Sequence, residues 1–183
     1  MSFCIYKTKI YISFFFCAGL LLFTLIDKSG LVLPVLLASL LHEIGHIFAL
    51  YIVKNPPSEI NFIVGGIEIK TNAAKNNIFV SLCGPLLNIL LFLVFYNTNL
   101  NFSAINLLLG SFNLLPFCGL DGASIICEIF KNSEKTQKFI TVLTILFSIF
   151  LFVTAVFVKT ADNKISFVLL SLYFMLFTLL KYS

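Results

Sequence analysis

The stretch LLHEIGHIF, residues 40–48, carries the chain's only two histidines, His42 and His46, with Glu43 beside the first. The pattern is H-E-x-x-H. On a helix, positions i and i+4 stack on one face, about 6 Å apart along the axis, so two imidazole nitrogens can grip one metal ion. Glu43 lies about 100° round the helix from His42, close enough to reach a metal-bound water without being a ligand. This is the layout of a metal-assisted hydrolase. The same pattern arises by chance in soluble chains, but here it is flanked by Leu, Ile, Ala and Phe, and ionisable groups inside an apolar segment are rare and usually functional. The bland alternative is a satisfied polar cluster without metal.

Two histidines leave a catalytic zinc site one protein ligand short. No other His exists, so the third must be Asp, Glu or Cys. Asp121 in NLLPFCGLDGAS, Glu128 and the cysteines are the candidates. Asp121 is best placed, after a helix ended by Pro116 and between Gly119 and Gly122, where the backbone can turn sharply. Its alternative role is an N-cap for the amphipathic stretch 123–138. Cys118 is the runner-up ligand. A third oddity is GPLLN, Gly84 to Asn88. Pro85 frees the carbonyl of Ser81, Gly84 allows close approach of a neighbouring backbone, and Asn88 offers an amide in an apolar setting. The alternative is a small-residue packing point with one polar bond across helices.

The elements that must position these groups are membrane helices. Of 183 residues, 60% are hydrophobic, 11% are charged and 22 are Phe. Too little polar surface exists to cover a soluble domain of this composition. Six apolar segments recur at about the length that crosses a bilayer: Ile10–Ile26, Leu31–Val53, Ile78–Tyr96, Phe102–Phe117, Phe139–Val158 and Ile165–Leu180. The first follows Lys7 and Lys9, but no small-x-small cleavage site closes it, so it reads as a retained helix. Between the second and third, Pro56 and Pro57 forbid helix, and INFIV and IEIKT flank Gly65-Gly66, a two-residue turn. The expected fold is an all-α polytopic membrane protein with about six transmembrane helices and a short membrane-associated β-hairpin between helices 2 and 3. It forms a single domain over 1–183, with a core of about 7–130 and two additional transmembrane helices over about 139–180.

The five cysteines, at 4, 17, 83, 118 and 127, have no CxxC spacing and read as small apolar filler. The net charge of +4 comes from lysines alone, with no arginine, and they lie in short loops. They report topology, not nucleic-acid binding. With six crossings, nine of the twelve lysines fall on the side of the N-terminus, the hairpin, the 118–138 loop and the C-terminus. The expectation is a multi-pass protein of the cell membrane with both termini cytoplasmic. Counted from that side, His42 and His46 lie about 10–16 Å deep, Gly84–Asn88 about 9–15 Å, and Asp121 just past the end of the fourth helix. The three oddities share one layer.

HEIGH in the second helix, GPLLN in the third and NLLPFCGLDG after the fourth, in this order, resemble the site-2 protease family of intramembrane zinc metalloproteases (peptidase family M50). The likeness is to the compact bacterial branch that includes the stage IV sporulation factor FB, which KIYISFFF and FIVGG also resemble. It covers roughly residues 7–130. The resemblance implies one zinc ion per chain held by His42, His46 and Asp121, Glu43 as catalytic acid/base, and Asn88 orienting substrate or stabilising an oxyanion. Ala123 stands where a second Gly often follows LDG, and Gly119 where Pro is frequent. No PDZ or CBS domain is expected.

The reading is an intramembrane zinc metalloendopeptidase that cleaves a transmembrane segment of a membrane-tethered protein. Its partners are that substrate, the lipid bilayer and a regulatory membrane protein, with no nucleic acid. A helical substrate must unwind first, and the hairpin at Gly65, Gly66, Ile67 and Ile69 offers an edge for strand addition. Rival readings are a metal-ion transporter using intramembrane His and Asp and an inactive membrane scaffold. Glu43 favours the protease, which needs an acid/base that is not a ligand.

Overall fold

The computed structural model describes residues 2–5, 8–63, 66–71, 77–158 and 161–182. The chain opens with strands β1 (Ser2–Ile5) and β2 (Thr8–Ile12), followed by helices α1 (Phe14–Ile26) and α2 (Val32–Ile52). Strands β3 (Pro57–Ile63) and β4 (Gly66–Thr71) come next, then helices α3 (Ile78–Phe95), α4 (Leu100–Asn113), α5 (Asp121–Ile129), α6 (Glu134–Phe157) and α7 (Ala161–Tyr182). Contacts divide the chain into two compact units, Met1–Phe112 and Asn113–Ser183.

The first unit holds a sheet larger than the hairpin expected from sequence. Its four strands run in the order β1-β2-β3-β4. The β3–β4 hairpin is there, pairing Ile60 with Ile69 and Phe62 with Ile67, while Gly65 lies outside the described residues. The addition is β2, parallel to β3. A parallel pair needs a crossover, and here α1 and α2 together carry the chain out and back. Thr8–Ile12 is therefore strand, not the start of the first helix. Its TKIYI alternates in burial, and the buried Thr8 hydroxyl donates to the Pro57 carbonyl at 2.8 Å. Apolarity alone cannot separate such a strand from the helix it feeds.

Helix α2 stops where its chemistry says it should. Lys54 adopts a left-handed φ of 57°, and the Asn55 amide donates to the Leu50 carbonyl at 3.0 Å, ahead of Pro56. Helix α3 is capped by Asn77, whose side chain accepts from the Phe79 amide at 3.0 Å. Helix α4 ends at Asn113, earlier than the expected Phe117, because Pro116 cannot continue it.

In the second unit, α6 starts at Glu134 rather than Phe139, since Ser133 caps it and accepts from the Thr136 amide at 3.2 Å. Phe117 stacks on Phe147 with centroids 4.2 Å apart, and Phe174 meets both edge-on. Ser148 donates to the Ser171 carbonyl at 2.8 Å, tying α6 to α7.

Polar groups such as His42, Asn88, Asn106, Thr144 and Ser148 are buried, while Phe14, Leu25, Leu33 and Phe157 are among the most exposed side chains. That inversion suits hydrocarbon surroundings. Among the described residues α2, α3 and α6 are long and apolar enough to cross a bilayer, and Phe14–Ile26 and Ile165–Leu176 are shorter apolar helices.

Candidate metal centre

His42 and His46 sit on the face of α2 that meets α3. The helices approach so closely because Gly45 lies between the histidines. A Cβ there would stand 2.7 Å from the carbonyl oxygen of Cys83. Gly84 then leaves space for the rings. A Cβ on it would run into Nε2 of His46 and lie 2.8 Å from Nε2 of His42. Sequence reasoning gave Gly84 to backbone approach. The approach is between Gly45 and the Cys83–Gly84 backbone, with the Gly84 Cα 3.1 Å from a Cβ on Gly45, and Gly84 also faces the imidazoles.

Each ring is held by its far nitrogen. Nδ1 of His46 lies 2.8 Å from the carbonyl oxygen of Val80, and Nδ1 of His42 lies 2.8 Å from Oδ1 of Asn88. Both partners are acceptors, so both Nδ1 atoms carry the proton. In a neutral ring this leaves Nε2 as a lone pair. The two Nε2 atoms lie 3.1 Å apart. A cation in front of both would be gripped by two nitrogens from one helix face. Nitrogens bound tetrahedrally to zinc at about 2.0–2.1 Å stand about 3.3 Å apart, so the pair fits that ion.

Glu43 is half-buried, one position along α2 from His42. In the second unit, Asp121 is the first residue of α5, with Leu120 as N-cap. It is not itself the cap, and its carboxylate is in the first turn, where the helix dipole favours negative charge. Two glycines shape this corner. Gly119 takes a φ of +91°, and a Cβ on Gly122 would strike the Leu114 carbonyl. The turn 114–120 can thus fold back on α5. Cys118, the runner-up ligand, is fully buried in an apolar cluster with Ala123, Cys127 and Ile140, and its sulfur faces the Thr141 hydroxyl at 3.9 Å. Glu128 lies further along α5.

Asn88, which the resemblance implied would meet substrate or an oxyanion, lies beside His42. It is fully buried. Its Oδ1 faces His42, and its Nδ2 donates to Oδ1 of Asn106 at 3.0 Å and to the Ala38 carbonyl at 3.4 Å. Its side-chain oxygen and nitrogen are thus both engaged inside the first unit, and Asn88 fixes the orientation of the His42 ring. Asn106 was not singled out from sequence. The signal was available, a polar residue in the apolar run INLLLG.

Of the hairpin residues, Gly66, Ile67 and Ile69 lie on β4, one of the two edge strands of the sheet, with Gly65 outside the described residues. Lys70 and Glu68 alternate with them toward solvent, 3.5 Å apart.

No protein-family model matches the chain, and no curated protein matches it by sequence. A solved structure with a similar fold is the site-2 protease from Methanocaldococcus jannaschii. The TM-score is 0.70, covering 97% of this chain and 94% of that one, at 19% sequence identity.

Proposed function

We propose that this chain, with the fold of a site-2 protease, is an intramembrane zinc metalloendopeptidase that cuts a transmembrane segment of a membrane-tethered protein. The observation that carries the reading is the convergence of the two Nε2 atoms, 3.1 Å apart, on one face of an apolar helix. His42 and His46 would hold the zinc, with Asp121 as third ligand, the carboxylate that the donor set of such a site requires. The chemistry zinc supplies when bound is Lewis acidity toward water and a peptide carbonyl.

Glu43 takes the proton from the attacking water at its carboxylate and returns it to the leaving amine, so water is consumed and two chain ends are released. Asn88 and Val80 hold the two rings in register. The edge of β4 at Gly66, Ile67 and Ile69 receives the unwound substrate as an added strand. The likeness of KIYISFFF and FIVGG supports the compact bacterial branch, and the lysine distribution supports six crossings with both termini cytoplasmic. A regulatory membrane protein would fit such a site, because water and substrate must both be admitted.

The test compares membranes from cells carrying the intact protein or Glu43→Gln, seeking soluble fragments released only by the former, with zinc content measured on the purified proteins. Intact protein should hold about one zinc per chain. Glu43→Gln should keep it and lose roughly 10²–10⁴-fold in cleavage. His42→Ala and Asp121→Ala should lose both. Unchanged processing by Glu43→Gln refutes the protease, and full zinc in Asp121→Ala refutes the third ligand.

A further inference from the structure

Three hydrogen bonds run in series from α4 to the metal site. The Phe102 carbonyl accepts from Nδ2 of Asn106 at 2.8 Å. Oδ1 of Asn106 accepts from Nδ2 of Asn88 at 3.0 Å. Oδ1 of Asn88 faces Nδ1 of His42 at 2.8 Å. Both asparagines are fully buried.

The direction of this series is dictated from its far end. A backbone carbonyl can only accept. Asn106 must therefore turn its NH2 toward Phe102, which aims its oxygen at Asn88. Asn88 must then turn its NH2 toward Asn106, where the Ala38 carbonyl takes the second proton at 3.4 Å. Its oxygen is left for His42, which must carry its proton on Nδ1. Reversing either amide sets like poles against each other in a buried setting, where mismatched polar groups are most costly.

The packing of α4 on α3 serves this register. Ser103 donates to the Phe92 carbonyl at 2.9 Å, one turn before Asn106. One turn after it, a Cβ on Gly110 would lie 3.0 Å from the Pro85 carbonyl and 3.1 Å from Cβ of Asn88. Ser103, Asn106 and Gly110 form one face of α4, and Asn106 is the member that reaches the Asn88 amide.

We propose that Asn106 is a positioning residue that fixes the tautomer of His42 through Asn88, so that Nε2 presents its lone pair before any metal arrives. Asn106 bonds to neither imidazole in this series. The inference rests on the proposed zinc site for its purpose, but the tautomer is a property of the metal-free chain and is measurable without turnover.

The experiment is ¹⁵N NMR of the histidine ring nitrogens in the metal-free full-length protein, in micelles and mildly alkaline buffer, paired with zinc affinity by chelator competition. With only two histidines, assignment needs one variant, His46→Ala. Wild type should show His42 protonated at Nδ1 and bare at Nε2. Asn106→Leu, alike in branching but without the acceptor, should give a mixture of tautomers and bind zinc on the order of tenfold more weakly, the low end of the range for outer partners of metal ligands. Asn106→Asp, kept neutral by its burial, still offers a carbonyl oxygen to Asn88 and a hydroxyl to the Phe102 carbonyl, and should stay close to wild type in both readouts.

A wild-type His42 protonated at Nε2 overturns the inference outright, whether or not Asn106→Leu folds. So does an Asn106→Leu protein with unchanged tautomer and affinity, or an Asn106→Asp protein as impaired as Asn106→Leu, which would make the role one of packing. If wild type binds no zinc yet its tautomer follows Asn106 as described, the inference stands and the protease reading falls.

Discussion

Gly84→Ala adds one methyl group at the point where the rings converge, and its consequence can be worked from the distances. The new carbon would lie 2.8 Å from Nε2 of His42 and 2.5 Å from Cε1 of His46. Unstrained heavy-atom contacts need about 3.5 Å, so the His42 ring must retreat by roughly 0.7 Å and the His46 ring, whose Nε2 is nearer still, by more than about 1 Å. The helices cannot separate without undoing the Gly45–Cys83 contact. The rings are pinned at Nδ1 by bonds of 2.8 Å. A shift of that size stretches those bonds past about 3.2 Å, the outer limit of good geometry. Metal-ligand distances tolerate only about 0.2 Å. Both first ligands move, so the loss should exceed the roughly 10–100-fold seen when outer partners are removed. Stability changes less. Overpacking costs about 1–3 kcal/mol, partly offset by the roughly 0.5–1 kcal/mol that alanine gains over glycine in a helix. The assay is zinc affinity by chelator competition in micelles, with thermal melting alongside. Gly19→Ala is the control, because nothing lies within 4 Å of a Cβ there, and it should bind zinc as wild type does. A Gly84→Ala protein that binds zinc within about twofold of wild type would refute the placement of the two rings.

Two further outcomes are expected. Asp27, between α1 and α2, is held below its ordinary carboxylate pKa by the Ser29 hydroxyl first, then by the Val32, Ser29 and Gly30 amides. Its stabilisation is therefore present above the ordinary carboxylate range and disappears as pH falls through that range to the folded value. Melting temperatures of wild type and Asp27→Asn should converge at acid pH and separate toward neutrality, and parallel curves would refute this. In a chain whose native cysteines are replaced by alanine, Lys135→Cys should label from the cytoplasmic side and Asn99→Cys from outside. Labelling of position 99 from the cytoplasm would overturn the six crossings.

What the sequence disclosed of the fold was set by apolarity, and so were its errors. Long apolar runs located α2, α3 and α6. The same criterion ran β2 into α1, because Ile10, Tyr11 and Ile12 lead into the apolar helix with no charge, Gly or Pro between. The distinguishing feature is the partner strand β3, some fifty residues away, and no local pattern contains it. The break at Lys131–Ser133 was hidden for a related reason. Lys131 and Asn132 take left-handed φ of 53° and 51°, a conformation that no glycine announces, and Ser133 restarts the helix as a cap.

The candidate site was legible where chemistry forces residue type and hidden where geometry assigns the task. His42 and His46 stand four apart in an apolar span, and their type and spacing mark that helix face. The glycine between them has no chemistry to announce it. Its reason is the Cys83 carbonyl on another helix, visible only once α2 and α3 are packed. Asn88 shows the converse, since its amide in an apolar run signalled a role without saying which way it faces. An amide free to meet substrate and one saturated by His42, Asn106 and Ala38 look identical in sequence. The difference lies in whether a second buried amide stands opposite, and α4 supplies it. A polar residue in a membrane helix is thus better read as one end of a bond whose other end must be sought on neighbouring helices. By that rule Asn88 calls for a partner on another helix, because its burial alone would be too costly to keep, and the structure supplies Asn106.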